Sequence, residues 1–485
     1  MTSPTEEVGL NGLRLASAVR DCFARIPSDQ VAAMLREIHR ASVQQRLIYL
    51  RDGEPETIRV LPCPITALPE QLSYVHYVTL TIHNALKRLL DIYLVDERVR
   101  ELLRVTPWEE EWIRGCWTPG HAESNPVFGR LDAVVDFISP MWKASLLYLE
   151  PNLTGIGGLH IAPTCERIVA DIVVPTLQSY DPALHLEIGA DIRELLMQEV
   201  LEHLQRIGRP ARRVCFVEPK YAGSGPEEQQ ALAEYYHERY GMRVMHADPS
   251  ELEVRGSEVT YEGECVDLAY RDYAVLDLVE LQHEGVDVEP MRRLFRENRV
   301  ISSLAAELDQ KSCWEVLTDP ELEGRYFSNE ERRIFRRHIL WTRLLWDRKT
   351  ALPDGSTEGL LEFVRRERES LVIKPNRGYG GEGVIIGHGS TQSEWESAIE
   401  RALWDSERWV VQRLASIPVR DLPVASEDGA VHMEPFYSVM GFAPSSDGVA
   451  ILARVSQQAV VNVAQRGGIC AVMLGHAPAP RAFAS

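Results

Sequence analysis

The sequence lacks the marks of a crosslinked, membrane-spanning or nucleic-acid-binding chain. Its eight cysteines (Cys22, Cys63, Cys116, Cys165, Cys215, Cys265, Cys313 and Cys470) are dispersed, with no CxxC pair. Buried free thiols in a reducing cytoplasm are therefore expected, not disulfides or a zinc site. No apolar run approaches the roughly 18–20 residues that a membrane-crossing helix needs. The first residues, Met1-Thr-Ser-Pro-Thr-Glu-Glu-Val, are polar and acidic and do not read as a signal peptide, so the expected location is cytoplasmic. Positive charge is in short supply: 52 Lys and Arg stand against 72 Asp and Glu, a net charge of −20. A phosphate backbone needs a basic face, so nucleic acid is not an expected partner. There is no internal repeat, no low-complexity tract, no Walker A loop and no dinucleotide fingerprint.

What is present is an ordinary globular composition, 45% hydrophobic and 26% charged over 485 residues, enough for two to four domains or lobes. Residues 10–50 read as helix. Ser28-Asp29 can cap a helix that carries Val31, Met34, Leu35, Ile38 and Val43 at helical spacing. The proline-bearing stretch 61–69 breaks the pattern, and a second helical region follows over 70–103. Two strands are expected at 134–138 and 145–149, followed by a glycine-containing loop over 150–158. Residues 164–208 read as mostly helical. Strand, helix, strand and strand signals at 213–217, 227–239, 242–245 and 266–270 suggest a small, partly parallel α/β unit. Helix returns over 290–350. Its locally basic run 330–349 reads as an amphipathic helix with solvated arginines. Short strands dominate from 371 onward, and the tail beyond 477 reads as loose.

One stretch organises the rest: Leu371-Val-Ile-Lys-Pro-Asn-Arg-Gly-Tyr-Gly-Gly-Glu-Gly-Val-Ile-Ile-Gly387. It reads as a strand, a glycine-rich turn and a returning strand. Pro375 cannot donate to a ladder, so pairing should stop there. Gly378, Gly380, Gly381 and Gly383 allow a close backbone approach to a ligand. Lys374 beside such a turn offers a cation and backbone N–H groups to a phosphate chain.

Four further features bear on it. Arg130-Leu-Asp132 precedes Glu150-Pro-Asn152 across an inferred hairpin. Two carboxylates and an amide oxygen suit Mg²⁺ held between protein and nucleotide phosphates, and residues two apart on an extended chain point the same way. Lys311 stands at the start of a helix about sixty residues before Lys374. The strand Arg408-Trp-Val-Val-Gln412 can present backbone groups to an adenine edge. Arg454, with Asn462, Gln465, Arg466 and Gly467-Gly468, can hold phosphoryl or acyl oxygens.

In this order the features resemble the circularly permuted ATP-grasp proteins, including the synthetase domain of glutathionylspermidine synthase and its uncharacterised branch. In an ordinary ATP-grasp chain the Asp and Glu-x-Asn elements come last; here they come first. The resemblance covers about residues 125–475. It implies an α+β / α/β fold in which two α+β lobes sandwich ATP, with an inserted small α/β substrate domain and a helical N-terminal region. The implied division is 1–115 (helical region), 116–185 (metal-ligand strands), 186–300 (substrate domain), 301–476 (lobes with the glycine-rich loop) and 477–485 (tail).

The implied activity is ATP-dependent carboxylate–amine ligation through an acyl phosphate, on small-molecule or peptide substrates. A phosphotransferase or a non-catalytic nucleotide-binding protein on the same scaffold is the alternative. By the resemblance, Lys311, Lys374, Gly378, Gly380, Gly381, Gln412 and Asn462 would contact ATP. Asp132, Glu150 and Asn152 would hold Mg²⁺, and Arg130 and Arg454 would be catalytic. The chain departs from the family in having no fused amidase domain and in carrying Pro151 inside the Glu-x-Asn motif. The long Asp132–Glu150 separation makes Asp136 a rival metal ligand, and Glu434 with Asn462 is a second rival set. Arg271, in the α/β unit, is a candidate carboxylate ligand or the partner of Asp267 or Asp272.

Overall fold

A computed structural model describes residues 3–378, 381–405, 408–425, 431–458 and 467–477. The chain begins with two helices, Pro4–Arg25 and Ser28–Gln44. The second buries Val31, Ala32, Met34 and Ile38, whereas Val43 is exposed. Ser28 is its first residue, not its cap: Pro27 holds the cap position and offers no side-chain acceptor.

The proline-bearing stretch is a strand, Val60–Ala67, every residue of which is buried. It runs parallel to Gly468–Gly475, with a register shift between Cys470 and Val472, and forms an edge of the largest sheet. Prolines are tolerated there because an edge strand does not need every N–H. From that edge the order continues through Gly468–Gly475, Gly448–Ser456, Val431–Ser445 and Arg130–Val134 to Leu147–Asn152. Strands from both ends of the chain thus share one sheet.

The two strands expected at 134–138 and 145–149 lie elsewhere. The first ends at Val134 and the second extends to Asn152. Val135 and Phe137 are buried, but in the turn between the strands, where the Asp136 N–H donates to Ser145 Oγ at 2.8 Å. Apolar character was thus a signal of burial at 135–138, not of pairing. Glu150-Pro-Asn152 is strand and not loop.

The α/β unit is a four-stranded parallel sheet ordered Val300–Ile301, Leu268–Arg271, Arg213–Val217, Arg243–Ala247. A separate sheet carries the glycine-rich hairpin, in the order Thr342–Leu344, Trp409–Arg413, Leu371–Pro375, Ile385–Ile386. Helices Leu360–Arg366 and Gln392–Trp404 cover it through Leu360, Phe363, Trp395 and Ile399. As expected, Pro375 is the last paired residue of its strand, opposite Trp409.

The hairpin sheet meets the largest sheet at one seam. Tyr148 bridges Ile339 in parallel, and the Leu340 N–H donates to Tyr148 O at 3.2 Å. The strand that ends in Glu150 and Asn152 therefore lies at the junction of the two sheets. All eight cysteines are free, and seven are buried. No helix among the described residues is long and apolar enough to cross a membrane.

Candidate functional site

A cleft of about 880 Å³ opens at that seam, lined by Arg130, Asp132, Glu150, Asn152, Lys311, Lys374, Gly378, Gly381, Gln412 and Arg454 among others. Of the twelve expected site residues these are ten. Gly380 and Asn462 lie outside the described residues, as do Gln465 and Arg466.

Asp132 and Glu150 are direct cross-strand partners, and Arg130 pairs with Asn152 in the same ladder. Opposed residues put their side chains on one face. Asp132 is buried between two arginines: Arg130 Nε donates to Oδ1 at 3.0 Å, and Arg454 Nη2 lies 2.6 Å from Oδ2. Burial alone would raise the Asp132 pKa, but the two guanidiniums outweigh it and hold it below the usual value. Arg130 also donates through Nη1 to Gly157 O at 2.7 Å. Gly441 permits this pose, since a Cβ there would stand 2.3 Å from Arg130 Cδ.

Glu150 faces the two lysines. Its Oε2 lies 3.5 Å from Lys311 Nζ and 3.7 Å from Lys374 Nζ. Burial again pushes its pKa up, and Lys311 and then Lys374 more than reverse this. Lys374 is itself pushed down to about 8, chiefly by burial, with Glu150 opposing. Lys311 Nζ also donates to Gly378 O at 2.8 Å, which ties it to the base of the glycine hairpin. Gln412 does not point outward: its Nε2 donates to Leu149 O at 2.9 Å and Thr342 Oγ1 at 2.7 Å, fastening the hairpin sheet to the Glu150 strand. Asn152 Nδ2 and Arg454 Nε have no hydrogen-bond partner among the described residues.

A search of protein-family models finds no match, and a search of curated proteins finds none. Among solved structures, a glutathione synthetase-like effector from Globodera pallida, determined in its apo form, superposes with a TM-score of 0.62 at 10% identity, covering 93% of this chain and 98% of its own. The fold is similar to that of this effector. At that identity the likeness concerns the fold alone.

Within this fold the rival ligands stand apart from the cleft. Asp136 lies 3.8 Å from Arg420 and accepts from Ile138 N, and Glu434 accepts from Gln457. Neither lines the cleft. Arg271 is no substrate ligand. It is fully buried, pairs with Glu307 at 2.5 Å, and donates to the carbonyls of Ser302, Tyr273 and Ser303. Its partner is neither Asp267 nor Asp272.

Three contributors carried no sequence signal. Asp309 Oδ2 accepts from Leu153 N at 2.6 Å and clamps the chain just beyond Asn152; burial pushes its pKa up to about 7. Glu228, buried at the start of an α/β-unit helix, accepts the N–H groups of Gly158, His160 and Ile161 at 2.6–3.0 Å and holds the loop whose Gly157 carbonyl steadies Arg130. Glu109 enters from the N-terminal helices and meets Arg377 at 2.8 Å. Each acts across a long sequence gap, where spacing carries no information. Among the described residues no group of three or more His, Cys, Asp or Glu forms a metal cluster. The candidate set is two carboxylates and one amide.

Proposed function

We propose that the protein is an ATP-dependent carboxylate–amine ligase of ATP-grasp type, with the permuted order of elements inferred above. The observation that carries this reading is the meeting of Lys311, Lys374 and Glu150 within 3.7 Å, from three stretches of chain, beside the Arg130–Asp132–Arg454 triad. The permutation draws support from the large sheet. Arg130–Val134 pairs with Val431–Ser445 although some three hundred residues separate them, as a cut and rejoined chain would require.

In this reading Lys311 and Lys374 exchange Glu150 for nucleotide phosphates. Arg130 and Arg454 orient the reacting carboxylate and neutralise charge as it attacks the γ-phosphorus and ADP leaves. An amine then attacks the acyl phosphate, releasing phosphate and giving up a proton. The protein contributes positioning and charge neutralisation more than covalent chemistry.

The residues present fit a magnesium ion. Each oxygen of Asp132 keeps a free lone pair beyond its arginine contact, Glu150 stands directly opposite, and Asn152 would offer its amide oxygen, its unpartnered Nδ2 being a donor suited to a phosphate oxygen and not to the ion. One or two carboxylates, with phosphate and water oxygens, is the usual complement for Mg²⁺. Bound there, the ion would supply charge neutralisation to the phosphates.

Calorimetry tests the reading. Lys374→Ala should weaken Mg·ATP binding about tenfold, the loss of one charge-assisted contact. Equal affinity in variant and wild type would remove the assignment. Product analysis then separates ligation from phosphoryl transfer alone.

A further inference from the structure

Arg377 begins the glycine-rich turn and lines the same cleft. Its backbone springs from a pinned residue. Asn376 is buried; its Oδ1 accepts from Ser312 N at 2.8 Å and its Nδ2 donates to Gln310 Oε1 at 3.1 Å. On the other side, Gly378 O accepts from Lys311. The guanidinium is fixed as well. Nη1 donates to Glu109 Oε1 at 2.8 Å, while Glu109 Oε2 accepts the Thr106 N–H at 2.7 Å in a helix-capping box. Glu109 is 1% exposed, and Arg377 is its ion-pair partner.

One arm of the guanidinium remains. Arg377 Nη2 is buried and, among the described residues, has no hydrogen-bond partner. A counter-ion for Glu109 needs no second arm, and an unmet buried donor costs free energy. A planar fork with one prong held and the other unpartnered, on a residue that lines a cleft, suits an oxyanion. The sequence pattern gave Arg377 no role, and Glu109 lies outside the stretch that resembles the ATP-grasp proteins.

We propose that Arg377, held in place by Glu109, binds an oxyanion of the cleft's ligand through Nη2. The inference rests on reading the cleft as the nucleotide and substrate site. The anionic oxygens could belong to the γ-phosphate of ATP or to a carboxylate of the second substrate. Both present the same geometry to the fork.

The 485-residue chain is titrated with Mg·ATP and Mg·ADP by calorimetry, and with inorganic phosphate and succinate by thermal shift. Arg377→Gln and Arg377→Lys are compared with wild type. Lysine keeps the charge beside Glu109 but lacks the second arm. Both variants should lose about tenfold in affinity for at least one probe. A loss with ATP but not ADP identifies the γ-phosphate; a loss with succinate alone identifies a substrate carboxylate. If Arg377→Gln destabilises the fold by stranding Glu109, the double variant Glu109→Gln/Arg377→Gln removes that charge and should show the same loss. All four probes binding the variants as they bind wild type would overturn the proposal and leave Arg377 as Glu109's counter-ion. That result, alongside Lys374-dependent ATP binding, would fail this inference alone; ATP binding indifferent to Lys374 would fail the reading of the cleft.

Discussion

Glu150 is where the charges of the cleft balance, because it is the common neighbour of both lysines and the cross-strand partner of Asp132. Glu150→Gln keeps the shape and removes the charge. It should abolish ATP turnover and reduce nucleotide binding by less; because it leaves two buried lysines without their shared carboxylate, the melting temperature is measured alongside to separate lost chemistry from lost fold. Asp136→Asn and Glu434→Gln should retain full turnover, as neither side chain reaches the cleft. Activity surviving in the Glu150 variant and lost in the Glu434 variant would move the metal to other strands. These residues could be found in the sequence because hard oxygen ligands, lysines and glycines were set in a recognisable order. Glu109 and Asp309 could not. Glu109 meets its partner 268 positions away and Asp309 meets Leu153 across 156, and neither pair leaves a local pattern.

At the scale of elements, the hairpin strand 371–375 and the parallel α/β unit were legible because alternation and β-branched runs coincided with real pairing. Buried apolar residues in the turn of the Asp132–Glu150 hairpin imitate a strand, so the sequence pattern sets that hairpin several residues off. In strand Val60–Ala67 two prolines mask an edge strand. Which glycine is indispensable is visible only in three dimensions. Gly441 is needed because Arg130 lies across it, and Gly155 because its φ is +56° and a Cβ would meet Asp272 Oδ1 at 1.5 Å. Gly441→Ala should force Arg130 off Asp132, costing about 1–3 kcal/mol by overpacking and most of the turnover. Gly448→Ala, in the neighbouring strand with no contact closer than 3.4 Å, is the control and should change neither. Urea denaturation and steady-state turnover of the pair check this; a fully active Gly441→Ala would mean that the Arg130 pose is dispensable.

For the molecule as a whole, the helical character of the N-terminal region was readable, but its dependence on distant parts of the chain was not. Strand Val60–Ala67 pairs with Gly468–Gly475, and Ser312 and Gln310 bond the carbonyls of Leu102 and Arg104. A fragment starting at residue 116 should therefore fail to unfold cooperatively, having lost an edge strand and exposed the apolar face behind it. A sharp urea transition in that fragment would contradict the shared core. The pH dependence of stability is also a property of the whole fold. Burial lowers the pKa of His83 from 6.5 to about 3 and that of His338 to about 4. The folded chain keeps both neutral where the unfolded chain already takes up protons. Through these two groups the unfolded state binds more protons between about pH 6.5 and 4, so their contribution to stability rises with pH and is lost on acidification. Each histidine contributes at most about 1.4 kcal/mol per pH unit. Asp309, held near 7 by burial, pulls the opposite way over the same range, because there it is the folded state that holds the extra proton. The informative quantity is therefore the difference between chains. His83 Nε2 has no hydrogen-bond partner among the described residues, so His83→Gln removes a titrating group without breaking a bond at that atom, and any constant cost of the substitution cancels in a comparison between two pH values. Urea denaturation at about pH 6.5 and about pH 5 should show the variant losing less stability on acidification than wild type, by about 1–2 kcal/mol. An equal or larger loss in the variant would mean that His83 is already protonated in the folded protein.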